Sequence, residues 1–132
     1  MSHDSRFEDL MREAMRDTEH FGHRQHIKLT WLAVLQYGAD EATRLISSGI
    51  RRTARYAGAP QKYNSTVSRA WVELVSHHAA EAPHRDFDEF VEVNPALLDK
   101  RLLSRFYRSA TLACANARSG WVEPDLDDFP WR

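Results

Sequence analysis

A chain of 132 residues, 42% apolar and 28% charged, holds enough apolar material for one core and too much to stay disordered. Its formal net charge of −1 supplies no overall field to draw it onto nucleic acid or an anionic membrane, so neither is an expected partner. A single cysteine, Cys114, excludes an internal disulfide and a cysteine-rich zinc centre, and is read as structural.

The longest apolar run, Trp31-Leu32-Ala33-Val34-Leu35, is far shorter than the ~20 residues that span a bilayer. Met1-Ser2-His3-Asp4 does not begin a signal peptide, which makes the cytoplasm the expected location. The expected fold is an all-α single domain over residues 1–132, a bundle of five to six helices with an ordered aromatic C-terminal tail.

Phe7, Leu10, Met11, Ala14 and Met15 recur at helical steps, with Asp4 or Ser5 as cap. A second helix is expected from His23 to Tyr37, with Ile27, Trp31, Val34 and Leu35 inward and Gly38 as its stop. Asp40 caps a third helix carrying Leu45, Ile46 and Ala57, ended by Gly58 and Pro60, and Gly49 within it either weakens it or admits a close neighbour. The fourth opens at Asn64 or Ser65, puts Val67, Ala70, Trp71, Leu74, Val75 and His78 on one face, and stops before Pro83. Asp86 starts a short fifth helix with Phe87, Phe90 and Val91, after a loop that leaves His84 exposed. Asn94-Pro95 is a cap followed by proline at the first helical position, opening a sixth helix with Leu98, Leu102, Leu103 and Phe106. A shorter turn follows near Leu112 to Ala117, and Trp121, Val122, Phe129 and Trp131 mark a tail that packs on the body.

Short connections make consecutive helices antiparallel, which brings the starts of the second and fourth helices to one end. His20, His23 and His26 lie at the first of these starts, and Lys62, Tyr63, Asn64, Ser65, Thr66 and Ser68 at the other. Two helix N-termini present free N–H groups and positive dipole ends, and Lys62, with Arg24 or Arg69, adds charge suited to a carboxylate, phosphate or sulfonate. Asn64 and Ser65 equally suit a plain cap with a solvated Lys62. His23 and His26, three residues apart, share a helix face, yet two histidines do not make a zinc site unless His20 joins them. His77 and His78 sit where a helix end favours positive charge, and Arg51, Arg52 and Arg55 form a basic stripe read as solvated.

Phe21-Gly22-His23-Arg24-Gln25-His26, Trp31, Lys62-Tyr63-Asn64-Ser65-Thr66-Val67-Ser68 with Trp71, and Phe90 through Asp99 with its Asn94-Pro95-Ala96-Leu97-Leu98-Asp99 block carry a resemblance. So do Arg105-Phe106-Tyr107-Arg108-Ser109 and Val122-Glu123-Pro124-Asp125. Together they resemble a family of short, uncharacterised bacterial all-helical proteins with F-x-H-x-E-H, K-Y-H-E-T-x-T-x-x-W and N-P-x-L-L-D blocks. The resemblance implies where the site lies rather than which reaction occurs there. This chain departs from it at Gln25, Asn64 and Ser65, which stand where the family has glutamate, histidine and glutamate. A family metal site of three histidines, or a glutamate base, would therefore be incomplete here.

The expected function is a non-redox enzyme (lyase, isomerase, dehydratase or cyclase) acting on a small polar or anionic metabolite. His23 and His26 would be its acid/base groups, and Lys62, Tyr63, Asn64, Thr66, Ser68 and Thr30 its substrate-binding residues. No nucleotide-binding or iron–sulfur motif appears, so no cofactor and no metal are expected. Two alternatives stay open: a metal-dependent enzyme using His20, His23 and His26, and a non-catalytic protein that binds a ligand or partner.

Overall fold

The computed structural model describes residues 5–131. Six α-helices are present, and no strand occurs among the described residues. They are α1 (Arg6–Ala14), α2 (His23–Tyr56), α3 (Ser65–Glu81), α4 (Phe87–Val93), α5 (Ser109–Ala113) and α6 (Ala115–Ser119). Of the two caps expected for the first helix, Asp4 lies outside the described residues, and Ser5 stands at the cap position without a side-chain capping hydrogen bond.

The expected second and third helices exist, but no loop separates them. They are the two halves of α2, joined at Gly38, whose φ of 82° and ψ of 168° only glycine adopts cheaply. An unbroken helix of 34 residues would be ~50 Å long, yet Phe21 and Tyr56, at its two ends, line one groove. The chain therefore turns back at Gly38. Leu29 and Ala33 from the first half share a core with Ala42, Leu45 and Ile46 from the second. The first half buries a second stripe, Ile27 and Trp31, against Ala70, Trp71, Leu74 and Val75 of α3. With both of those faces occupied, Leu35 falls on the remaining wet face and is 56% exposed, not inward as its spacing had implied. Ala57 is exposed too, one residue past the end of α2.

α1 lies across the second half of α2. Its Phe7 ring approaches so closely that a Cβ built on Gly49 would lie 2.2 Å from it. Gly49 is thus the close-approach glycine rather than a mere weak point. Replacing Gly49 by alanine gains up to ~1 kcal/mol of helix propensity, but it drives a methyl into a buried ring, an overpacking cost of ~1–3 kcal/mol or more. Net destabilisation of Gly49→Ala is expected in urea titration, and Phe7→Leu should relieve part of it; additive losses would show that the two positions do not couple.

α3 begins and ends as its caps dictate: the Asn64 side chain accepts the Val67 N–H at 3.0 Å, and Pro83 follows its end. Asp86 caps α4 in the same manner, through the Glu89 N–H at 2.9 Å. The single sixth helix expected from Pro95 does not form. Two 3₁₀ turns, Pro95–Leu98 and Leu102–Arg105, replace it. Between them the Asp99 carboxylate accepts the Arg101 backbone N–H at 2.9 Å, offering the chain a local alternative to helix. The change of register buries Leu97 and turns Leu98 outward, while Leu102, Leu103 and Phe106 stay in the core.

The tail is docked. Phe129 is 1% exposed, Trp121 and Trp131 are partly buried beside it, and Thr66 of α3 anchors the tail's start. Among the described residues, no helix is long and apolar enough to cross a membrane.

Candidate functional site

Because α2 folds back at Gly38, its beginning meets the first turns of α3. The His23 ring packs edge-on against Trp71 with centroids 4.8 Å apart, and its Nε2 lies 2.9 Å from the Leu97 carbonyl oxygen. That carbonyl can only accept, so His23 carries a proton on Nε2 and, when neutral, presents Nδ1 as an acceptor. The His26 ring is 6.3 Å from that of His23 and 6.4 Å from Phe21. Burial, and secondarily the nearby His23, push the His26 pKa down to about 4, which keeps the ring neutral at physiological pH. His20 does not join them. Among the described residues, the three side chains whose ligand atoms converge are His77, His78 and Glu81, at the opposite end of α3.

The polar residues at the start of α3 divide into two groups. Asn64 and Thr66, like Thr30 of α2, direct their side-chain hydrogen bonds into the fold. The Asn64 amide donates to the Leu112 carbonyl at 2.6 Å while its oxygen caps α3. Thr66 is fully buried, donating to the Gly120 carbonyl at 2.7 Å and accepting the Val122 N–H at 3.1 Å. Thr30, also fully buried, donates to the His26 carbonyl one turn back. Ser68 is buried, and Lys62 is exposed at the end of the 3₁₀ turn Pro60–Lys62.

Tyr63 and Ser65 form the second group. The Ser65 hydroxyl donates to the Tyr63 phenol oxygen at 3.0 Å, and both line a cavity of about 350 Å³. Arg51 and Arg55, one turn apart on the second half of α2, form one wall; Arg118 and Ser119 of α6 form another. Arg118 is held by donating to the Gln61 carbonyl at 2.7 Å. The Arg51 and Arg55 side chains have no hydrogen-bond or ion-pair partner among the described residues, none of whose carboxylates lines the cavity. The two arginines first considered beside Lys62 are otherwise engaged: Arg24 pairs with Asp88, and Arg69 with Glu73 at 2.7 Å while covering the Trp121 ring.

Arg51 and Arg55 were legible as a basic stripe and Tyr63 as a candidate residue, and all three line this cavity. Arg118 and Ser119 were not, because nothing local in 115–119 signals that α6 packs against α3. His84, expected in the open, has its side chain shielded against Phe90 at 5.5 Å, with Nδ1 3.4 Å from Glu89. The turn before α4 folds back onto that helix and covers it.

Five cavities among the described residues, that between α2, α3 and α6 included, are lined by none of His23, His26, Lys62 and Asn64. No family model, curated protein or solved structure matches this chain. The functional reading therefore rests on its own residues.

Proposed function

We propose that this protein binds a small anionic molecule, one bearing a phosphate or carboxylate group, in the cavity between the end of α2, the start of α3 and α6. One observation carries the reading: three guanidinium groups, those of Arg51, Arg55 and Arg118, face a cavity of ligand size lined by no acidic side chain among the described residues. Among the described residues none of the three has a carboxylate partner: Arg118 bonds the Gln61 carbonyl, and the Arg51 and Arg55 side chains have no hydrogen-bond or ion-pair partner. The Tyr63 hydroxyl, which accepts from Ser65 and keeps its own proton to donate, adds a neutral donor beside the start of a 17-residue helix, whose dipole also favours negative charge there.

The reading is tested by titrating the protein with inorganic phosphate, a sugar phosphate and a small dicarboxylate, followed by calorimetry and by amide shifts of residues 63–66. Saturable binding of at least one is expected, weakened ~10–100-fold in Arg51→Ala, Arg55→Ala and Arg118→Ala, as for loss of a charge-assisted hydrogen bond. Affinities unchanged in all three variants would sink it.

Catalysis is the second reading, favoured by the pairing of His23, whose ring is oriented by the Leu97 carbonyl, with a neutral His26. Non-redox proton-transfer chemistry (lyase, isomerase, dehydratase or cyclase) suits such a pair. His26 is the weak base of such a pair, because an imidazole with a pKa near 4 holds a proton weakly. If a ligand found in the same titrations is also consumed, His23→Ala separates the readings: turnover lost with binding kept supports catalysis. The metal-dependent alternative through His20, His23 and His26 has no comparable support, since those three side chains do not converge.

A further inference from the structure

We propose that the C-terminal end of α3 binds a divalent transition-metal ion, with zinc as the best match, through His77, His78 and Glu81. The inference is independent of the anion cavity, which lies at the other end of the same helix. One nitrogen of each histidine and one carboxylate oxygen of Glu81 already lie within 4.8 Å of one another. Ligand atoms around tetrahedral zinc stand ~3.3 Å apart, as bonds of ~2.0–2.1 Å require. Side-chain rotations that close the set by up to about 1.5 Å would complete three protein ligands, and water would supply the fourth.

The spacing follows from helix geometry. His77 and Glu81 are one full turn apart, and His78 and Glu81 are three residues apart, so both histidines can reach the same carboxylate. His78 Nδ1 already stands 2.9 Å from Glu81 Oε1. The ligand chemistry, two imidazoles and one carboxylate, is that of open catalytic zinc sites rather than of calcium or magnesium, which take oxygen ligands alone.

Two features of the surroundings favour a cation there. The last turn of α3 ends in carbonyl groups without intrahelical partners, the negative end of the helix dipole. The docked tail also places Trp131 against the His77 ring, with centroids 5.0 Å apart, and Trp131 is itself stacked on the buried Phe129 at 4.7 Å. The tail thereby limits the rotamers of one ligand, lowering the entropy lost when the set closes. A shallow cavity of about 260 Å³, lined by His77, Ser76, Glu73 and Trp131, leaves room beside His77 for the ion's water or an exogenous ligand.

The full chain, free of any purification tag and stripped with a chelator, is titrated at neutral pH with zinc against a chromophoric competitor, and with cobalt(II) followed by visible absorption. The expected result is one ion per chain with a Kd on the order of 1–10 μM, and a d–d spectrum for cobalt with nitrogen and oxygen ligands. Glu81→Gln, at an exposed position, and the double change His77→Ala with His78→Ala should each weaken binding at least ~30-fold. His20→Ala and His23→Ala should leave it unchanged. Circular dichroism reports whether the double variant folds; if it does not, Glu81→Gln decides alone. Absence of saturable binding at one ion per chain would overturn the proposal, as would binding that survives Glu81→Gln or is lost with His23.

Discussion

Phe129→Ala will lower the stability of the protein by about 3–5 kcal/mol, the usual cost of truncating a fully buried phenylalanine. For a domain of this size that corresponds to a drop of roughly 10–20 °C in thermal midpoint. Phe129 is the keystone of an aromatic stack that runs from the core to the surface. Its ring is 1% exposed, lies 4.9 Å from Phe106, packs on Trp121 at 6.2 Å and stacks on Trp131 at 4.7 Å. The chain leading to it is pinned by polar bonds that follow it into place. The Phe106 carbonyl accepts from the N–H groups of Asp125 and Leu126, the Tyr107 hydroxyl donates to the Val122 carbonyl, and the Asp125 carboxylate accepts from Arg108 N–H and Thr111. Without Phe129 these bonds must hold a segment that no longer buries a side chain, and ordering each residue costs ~1–2 kcal/mol. Deleting residues 121–132 should do at least as much damage as the point change. Thermal melts followed by circular dichroism measure both, and a shift of only a degree or two would show the tail to be dispensable.

What could be read ahead of the structure was local chemistry. Asn64, Asp86 and Gly58 each solve a problem within a few residues of themselves, and the starts of α3 and α4 and the end of α2 fall where they imply, while Gly38 turns the chain inside α2 rather than stopping it. The aromatic tail was legible for a related reason: Trp121, Phe129 and Trp131 could not remain in water without cost. The sixth helix was misjudged because the Asp99 carboxylate competes with it through the Arg101 N–H, and proline at a first helical position says nothing of a break four residues on. The site was only half visible. Antiparallel pairing rightly brought the start of α2 to the start of α3, as His23 against Trp71 demonstrates. Pairing could not tell which polar side chains would stay free. Thr66 and Asn64 are taken up by the Gly120 and Leu112 carbonyls, groups 54 and 48 residues away in the chain. By the same logic, Arg118 meets Arg51 and Arg55 only once α6 is laid against α3, a tertiary event with no local signature.

The second large effect is acid sensitivity, and His26 should dominate its upper range. The folded ring has a pKa of about 4 against 6.5 when unfolded, because burial, and to a smaller degree His23, penalise the imidazolium. Above pH 6.5 both states are neutral at this position and stability does not depend on it. Between about pH 6.5 and 4 the unfolded chain binds a proton that the folded chain refuses, so stability falls as pH falls. The limiting slope is about 1.4 kcal/mol per pH unit, and because the ring is not wholly shut off from water, a total loss on the order of 2–3 kcal/mol is the reasonable expectation. Below pH 4 the folded ring protonates as well and the term levels off. Glu41, Asp99 and Asp125 have folded pKa values held below their ordinary ones by hydrogen bonds to Arg44 and Arg6, to Arg101, and to Thr111 and the Arg108 N–H. Their stabilisation is lost only as pH falls below the ordinary values of 4.5 for Glu41 and 3.8 for the two aspartates, so the windows barely overlap. Urea titrations at half-unit intervals from pH 7.5 to 4.5 should show the decline in the native protein and a clearly flatter profile in His26→Gln, which keeps a polar side chain but cannot titrate. Equal slopes in the two proteins would mean that His26 charges as easily folded as unfolded, and that its ring stands in water rather than against Phe21 and His23.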